Sequence, residues 1–339
     1  VFDTLQCRLL KGAEYLTMEE SRHELFFLSS GDDSRQDKIV GDVRGYVRNL
    51  VGKRSSVLEI GPSYMPLFPK RDGFNVSIVD HLDQSGLIEK YQALNVDSSL
   101  IEPVDYVWRG GPISALLNER QFDFIYASHV IEHTTDLVRF IADCEKMLTE
   151  RGRVVLVVPD KRYCFDIFQP ATDTAKVLGD YIRGSKSHGF EALYREESQV
   201  SVEYDGRNVL AWWQGRVSAL HLMRRDPRGR MNSALAGHRS KDYVDAHEYF
   251  FTPSVFLLIL EELYFHELVN VRVRLLTRSR GCEFLAILDR PTVSERLPTE
   301  RFCALKRELS LNSIREQVEA WSKLSPLDDP LDVSGLLSD

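Results

Sequence analysis

The 339-residue sequence is short of the features that place a protein quickly. Its five cysteines, Cys7, Cys144, Cys164, Cys282 and Cys303, are odd in number, scattered and never paired as C-x-x-C. That argues against a disulfide framework or a structural zinc cluster, and for a reducing, cytoplasmic compartment. No apolar run approaches the roughly 18 residues of a membrane span; VFLLILEEL at 255–263 is short and ends in acids. No signal-peptide pattern follows Val1. Positive charge is also lacking: the net charge is −8, which gives no reason to expect binding to DNA or to nucleic acid in general. Internal repeats and low-complexity tracts are missing as well.

What is present alternates. An amphipathic stretch at 36–50, with Ile39, Val43, Tyr46 or Val47, and Leu50 on one face, predicts a helix. It leads into a strand at 55–61 (SSVLEIG). Further strands are expected at 75–80 (NVSIVD), 122–128 (FDFIYAS) and 153–160 (RVVLVVPD), with a helix at 135–150 closed by Gly152. Near the end, Thr252 and Pro253 suit the N-cap and first turn of a helix burying Phe256, Ile259, Leu260 and Leu263, followed by paired strands at 268–276 and 282–290. Short Val/Ile-rich runs alternating with helices predict an α/β fold with a mostly parallel sheet covered on both faces. Residues 161–245 break the rhythm with Arg, Gly and aromatics and are too long for a connection, so an inserted subdomain or lid is expected there. The expected organisation is an N-terminal helical segment (1–54), a central domain (55–290) carrying that insertion, and a charged tail (291–339), helical at about 299–323.

In an open α/β sheet, ligands bind beyond the carboxyl ends of the strands. Those ends carry Glu59, Gly61, Pro62 and Ser63, then Asp80, then Ser128 and His129, then Pro159 and Asp160. An acid about 20 residues beyond the first strand suits ribose hydroxyls, so a nucleoside-containing cofactor is expected. A dinucleotide needs G-x-G-x-x-G to cradle its pyrophosphate; the loop here reads GPSYMPLFP, with one glycine and three prolines. Negative charge at Glu59 would instead suit a cationic group, such as the amino group or sulfonium of S-adenosylmethionine.

VLEIGPSYMPL, the acid in SIVDHLD, FDFIYASHVIEH, GRVVLVVPDKRYCFD and HEYFFTPSVFLLILEEL together resemble the class I S-adenosylmethionine-dependent methyltransferases. The branch resembled is one met in bacterial surface-polysaccharide biosynthesis. The resemblance spans about 36–290 and is most specific over 57–166. It implies a Rossmann-like seven-stranded sheet with an antiparallel end, and Glu59, Gly61, Asp80 and the end of FDFIYAS around S-adenosyl-L-methionine. Asp105 falls where relatives place a residue near the adenine. The activity implied is methyl transfer to an oxygen of a saccharide, nucleotide sugar or glycan precursor.

His129-Val-Ile-Glu132-His133 matches the H-x-x-E-H of one group of zinc peptidases. That motif needs a helix, whereas here it follows a buried strand directly. A general base for a sugar hydroxyl fits better, with His129, His133, His247 and Asp160 as candidates. His133 packing or capping the next helix, and a divalent ion held by His129, Glu132, His133 and His247, stay open beside it; no metal site is assigned from the sequence. Lys161 and Arg162 are either anion contacts or exposed loop charges. Seven basic residues at 216, 224, 225, 228, 230, 239 and 241 face only two acids, Asp242 included, and would suit a phosphate or carboxylate. Phe190, Tyr204, Trp212 and Trp213 would stack on sugar rings or form the insertion's own core. Competing readings are methylation of another small molecule or RNA, a non-catalytic cofactor-binding scaffold, a nicotinamide-dependent reductase, and a phosphatase-type motif in VFDTL.

Overall fold

A computed structural model describes residues 33–92, 96–204, 208–212, 220–222, 226–240 and 244–322. Seven strands form one sheet: β1 (Val57–Ile60), β2 (Val76–Asp80), β3 (Tyr106–Val107), β4 (Phe122–Ser128), β5 (Leu148–Pro159), β9 (Arg272–Leu276) and β10 (Glu283–Asp289), in the order β3-β2-β1-β4-β5-β10-β9. The first five are parallel, and β10 runs antiparallel to both its neighbours, β5 and β9. The expected Rossmann-like α/β class is therefore the observed one. Strand order reverses between β1 and β4, which opens a crevice over their carboxyl ends.

Period-2 alternation decides which face each strand residue serves. Leu58, Ile60, Ile125, Ala127, Leu156 and Val158 join the larger core beneath the Leu137–Lys146 and Pro253–Phe265 helices. Val57, Tyr126, Val155 and Val157 join the smaller core with Ile39 and Val47 from the N-terminal helices. Both faces are dry, as strands rich in consecutive Val, Ile and Leu require.

Several boundaries differ from the sequence expectation, among them an earlier start of β5 at Leu148 and a later start of β9 at Arg272. The 36–50 helix is two helices, Asp33–Gly41 and Val43–Leu50, because the Asp42 carboxylate accepts from Gly45 N at 2.8 Å and starts a new one. The 135–150 helix spans only Leu137–Lys146, with Asp136 as its N-cap. Gly152 does not stop it; that glycine sits in a bulge early in β5, where a Cβ would lie 2.8 Å from the Phe122 carbonyl oxygen.

The insertion holds the Thr174–Arg183, Phe190–Gln199 and Pro227–Ser240 helices and a three-stranded sheet of β6 (Ser201–Tyr204), β7 (Asn208–Val209) and β8 (Leu220–Leu222), ordered β7-β6-β8. Trp212 is buried against Tyr163 and Ile167, and Phe190 stacks on Tyr194, so both serve the insertion's own packing. Trp213 and the basic residues 216, 224, 225 and 241 lie outside the described residues, as do VFDTL and 323–339.

The expected tail contains a packed helix, Thr299–Ser322. Phe302 stacks on Phe265 with centroids 3.8 Å apart, Leu309 enters the larger core, and Lys306 pairs with Glu262 at 2.8 Å. Near its end, Glu316 accepts from the Ser254 hydroxyl at 2.7 Å and from the Thr252 hydroxyl, capping the Pro253–Phe265 helix from outside. Among the described residues no helix is long and apolar enough to cross a membrane.

Candidate active site

The β1 loop turns at Gly61, whose φ of +65° is left-handed and whose Cβ would come within 2.8 Å of Val130 Cγ2; only glycine fits both. Glu59 is fully buried beneath this loop, and its two oxygens accept from Leu67 N (2.6 Å) and Phe68 N (3.1 Å). Burial pushes its pKa up to about 7, against the pull of those two amides. Its carboxylate thus anchors the loop rather than projecting toward a ligand. Pro62 accepts from Met65 N, and Ser63 N donates to Asp80 Oδ2 at 2.9 Å, which joins the β1 loop to the end of β2. The other oxygen of buried Asp80 takes the His81 amide (2.8 Å) and ring (2.7 Å).

Asp105 does not reach the strand-end crevice. Its carboxylate binds Ile78 N (2.7 Å) and Lys70 Nζ (2.8 Å), below the end of β2, and so fixes β3 beside β2. The residues that do follow β3 beside Asp80 are Trp108, whose amide donates to Asp80 O at 2.7 Å, and Gly110 and Gly111, both left-handed with open space where a Cβ would stand. Sequence reasoning passed over this corner, although the Gly-Gly pair was its signal.

β4 ends at Ser128, opposite Val157, and His129 follows in a left-handed conformation with φ +53°. Strain of that kind in a non-glycine residue persists only where the surroundings impose it. Ile131–His133 is a 3-10 turn, and because Asp136 supplies the helix cap, His133 is left to face the crevice. A cavity of about 180 Å³ opens here, lined by His129, Glu132, His133 and His247, by Pro159 of β5, and by Cys164, Phe165, Leu210 and Ala211 of the insertion.

Two of the three histidines are hydrogen-bonded to a carboxylate, His129 Nε2 to Glu283 at 2.9 Å and His247 Nδ1 to Asp166 at 2.7 Å, while His133 Nδ1 lies 3.2 Å from Asp245 without a hydrogen bond. The other nitrogens of His129 and His133 both lie 3.7 Å from Glu132 Oε1. Burial works against charge on His247, but the Asp166 charge and hydrogen bond outweigh it and lift its pKa to about 9. His133, whose ring meets that of His247 edge-on at 4.5 Å, is pushed down to about 3 by burial and by its charged neighbour. Burial likewise lowers His129, yet the Glu283 bond and the charges of Glu132 and Glu283 leave it raised.

Three sequence candidates take other roles. Asp160 is fully buried and saturated: its oxygens bind Arg162 Nε (2.9 Å), Arg162 Nη2 (2.5 Å) and the Ser279 hydroxyl. A carboxylate so engaged is no base. Arg162 is buried in that pair and donates onward to Glu316 O at 3.2 Å; Lys161 is buried with its ammonium on Ile167 O at 3.1 Å. Neither is an exposed loop charge or faces an anionic substrate. Glu283 and Asp166, by contrast, were missed.

Residues 81–156 match the family model described as a methyltransferase domain. Over that segment, less than a quarter of the chain, the sequence is similar to methyltransferase domains. The matched segment runs from the residue after Asp80 through the histidine turn into β5. No curated protein matches the chain. Among solved structures, the chain is similar to the CcbJ methyltransferase from Streptomyces caelestis, at 13% identity over 75% of this chain and 90% of that one, with a TM-score of 0.39. It is also similar to the glycopeptide N-methyltransferase MtfA complexed with S-adenosyl-L-homocysteine, at 14% identity over 74% and 87%, with a TM-score of 0.34. Likenesses of that size carry no functional weight.

Proposed function

We propose that the chain transfers the methyl group of S-adenosylmethionine to a hydroxyl oxygen of a saccharide or glycan precursor. The observation that carries the reading is the histidine-lined cavity at the ends of β4 and β5, next to a rim whose donor set suits an adenosyl group. Bound S-adenosylmethionine supplies a methyl group on an electrophilic sulfonium. Asp80 is the ribose residue: its buried carboxylate closes the end of β2, and ribose hydroxyls would replace the His81 ring on it. Gly61, Pro62 and Ser63 shape the loop beside it, and Trp108 with Gly110 and Gly111 offers an aromatic edge and open backbone for an adenine.

The acceptor enters the cavity past Ser128 and beneath Cys164, Phe165, Leu210 and Ala211, the described residues through which the 161–245 range lines it and serves as a substrate lid. Its hydroxyl oxygen bonds to the methyl carbon as the carbon–sulfur bond breaks, giving a methyl ether and S-adenosylhomocysteine. The hydroxyl proton passes to His129 Nδ1, because Glu283 holds Nε2 and so presents the other nitrogen. Holding the hydroxyl in line with the methyl group supplies much of the acceleration. Support for a saccharide is the family resemblance together with an insertion that carries Phe168 exposed and Arg228, Arg230 and Arg239 on its Pro227–Ser240 helix.

Calorimetric titration with S-adenosylmethionine, S-adenosylhomocysteine and NADH, repeated on Asp80→Ala, tests the first half. Saturable binding of the two sulfur compounds, weakened 10- to 100-fold in the variant as expected for about 1.5–3 kcal/mol of charge-assisted hydrogen bonding, supports the reading. Binding of NADH alone overturns it. Radiolabelled methyl transfer to a panel of monosaccharides and nucleotide sugars then tests the acceptor.

A further inference from the structure

Glu132 is fully buried, yet neither of its carboxylate oxygens has a hydrogen-bond partner. Leaving a carboxylate in that condition is costly, and native structures rarely do so without an ion or a partner in prospect. Around it the side chains are arranged for an electrophile. One ligand atom from each of Glu132, His133 and His247 falls within 4.8 Å of the others, facing the cavity. His247 is held from behind by a hydrogen bond to the Asp166 carboxylate at 2.7 Å, and Asp245 stands 3.2 Å from His133 Nδ1. The His247–Asp166 bond is the outer-shell contact by which metal-binding imidazoles are oriented and made more basic. With Glu283 on the rim, four carboxylates surround three histidines, so the cluster carries excess negative charge for a cation to offset.

We propose that Glu132, His133 and His247 bind one divalent transition-metal ion. Two imidazoles and a single carboxylate select zinc, cobalt, iron or manganese over magnesium and calcium, which take mainly oxygen ligands. Three protein ligands leave coordination positions open, as in catalytic rather than structural sites. Those positions face the cavity, where water or an acceptor hydroxyl would fill them. His129 stands outside the triad, 3.7 Å from Glu132 on its Nδ1 side, and remains available for the proton. What the ion does for an acceptor rests on the methyl-transfer reading; its binding does not.

The test titrates Co²⁺ into the chelator-treated full chain and follows visible ligand-field absorption. One Co²⁺ per chain, displaced by Zn²⁺, is expected, with binding at least 100-fold weaker in Glu132→Gln and His247→Ala that retain the wild-type circular dichroism. A Zn²⁺-dependent rise in the wild-type unfolding temperature gives a second readout that needs no variant. No saturable binding by wild type, binding unchanged in folded variants, or thiolate charge-transfer bands from Cys164 or Cys282 would each overturn the proposal. Calorimetry with S-adenosylmethionine on the same metal-free sample separates the two ideas: cofactor binding without Co²⁺ binding sinks the ion alone, and the reverse sinks the methyltransferase reading alone.

Discussion

Replacing Glu59 by Gln should remove a pH dependence that the wild type carries through its core. In the folded chain the carboxyl has a pKa near 7, against 4.5 when free. Between those values the folded state keeps a proton that the unfolded state has released, so unfolding frees a proton and stability falls as pH rises. The loss begins at about pH 4.5, is complete just above 7 and then levels off. At ~1.4 kcal/mol per pH unit it amounts to ~3 kcal/mol. Gln is neutral throughout and keeps one carbonyl oxygen for Leu67 N or Phe68 N, so it gives up one amide acceptor, worth ~1 kcal/mol. The variant should therefore be slightly less stable than wild type at pH 4.5 and ~2 kcal/mol more stable at pH 8. Urea unfolding followed by circular dichroism at intervals from pH 4.5 to 8.5 measures this directly. Other buried acids, such as Glu132 and Glu261, also have raised pKa values, but they cancel in the difference between the two proteins. A wild-type-minus-variant difference that does not change with pH would refute the reasoning.

Other outcomes follow from the same geometry. His129→Ala should lower kcat by ~10²- to 10⁴-fold with the S-adenosylmethionine Kd unchanged, as read by single-turnover kinetics and calorimetry; equal loss of both would make His129 a binding residue. Arg162→Met leaves Asp160 buried and unpaired and should cost ~3–5 kcal/mol in chemical denaturation, whereas an exposed loop charge would cost almost nothing. Phe302→Ala should cost ~3 kcal/mol and speed amide hydrogen exchange in both the Thr299–Ser322 and Pro253–Phe265 helices; exchange confined to the first would mean the two do not support each other.

The parallel strands could be read because their residues are dictated by burial on both faces: FDFIYAS became β4 with no change of boundary, and Thr252 and Pro253 began their helix as expected. Single polar residues were harder, because a strand-end position states where a side chain starts and not what it meets. Asp160 and Asp80 both end strands and are equally buried, yet one is spent on Arg162 and Ser279 while the other joins the β1 loop to His81 through Ser63 N and the His81 amide and ring. Asp105 was misplaced because β3 is only two residues long and leaves almost no period to count. Glu283 escaped for a topological reason. β10 runs against its neighbours, so its first residue, not its last, arrives beside Pro159 at the edge of the sheet where the cavity opens. A rule based on carboxyl ends skips it.

The helix at Thr299–Ser322 changes what counts as the smallest piece worth isolating. Cutting the chain at Pro291 would keep every motif by which the protein is recognised and every strand of the large sheet. It would also bare Phe265, empty the place of Leu309, uncap Thr252 and Ser254, and take away the carbonyl that steadies Arg162 behind Asp160. Boundaries drawn around recognisable chemistry would thus yield an insoluble fragment, and clones, fusions or permuted versions should end beyond Ser322.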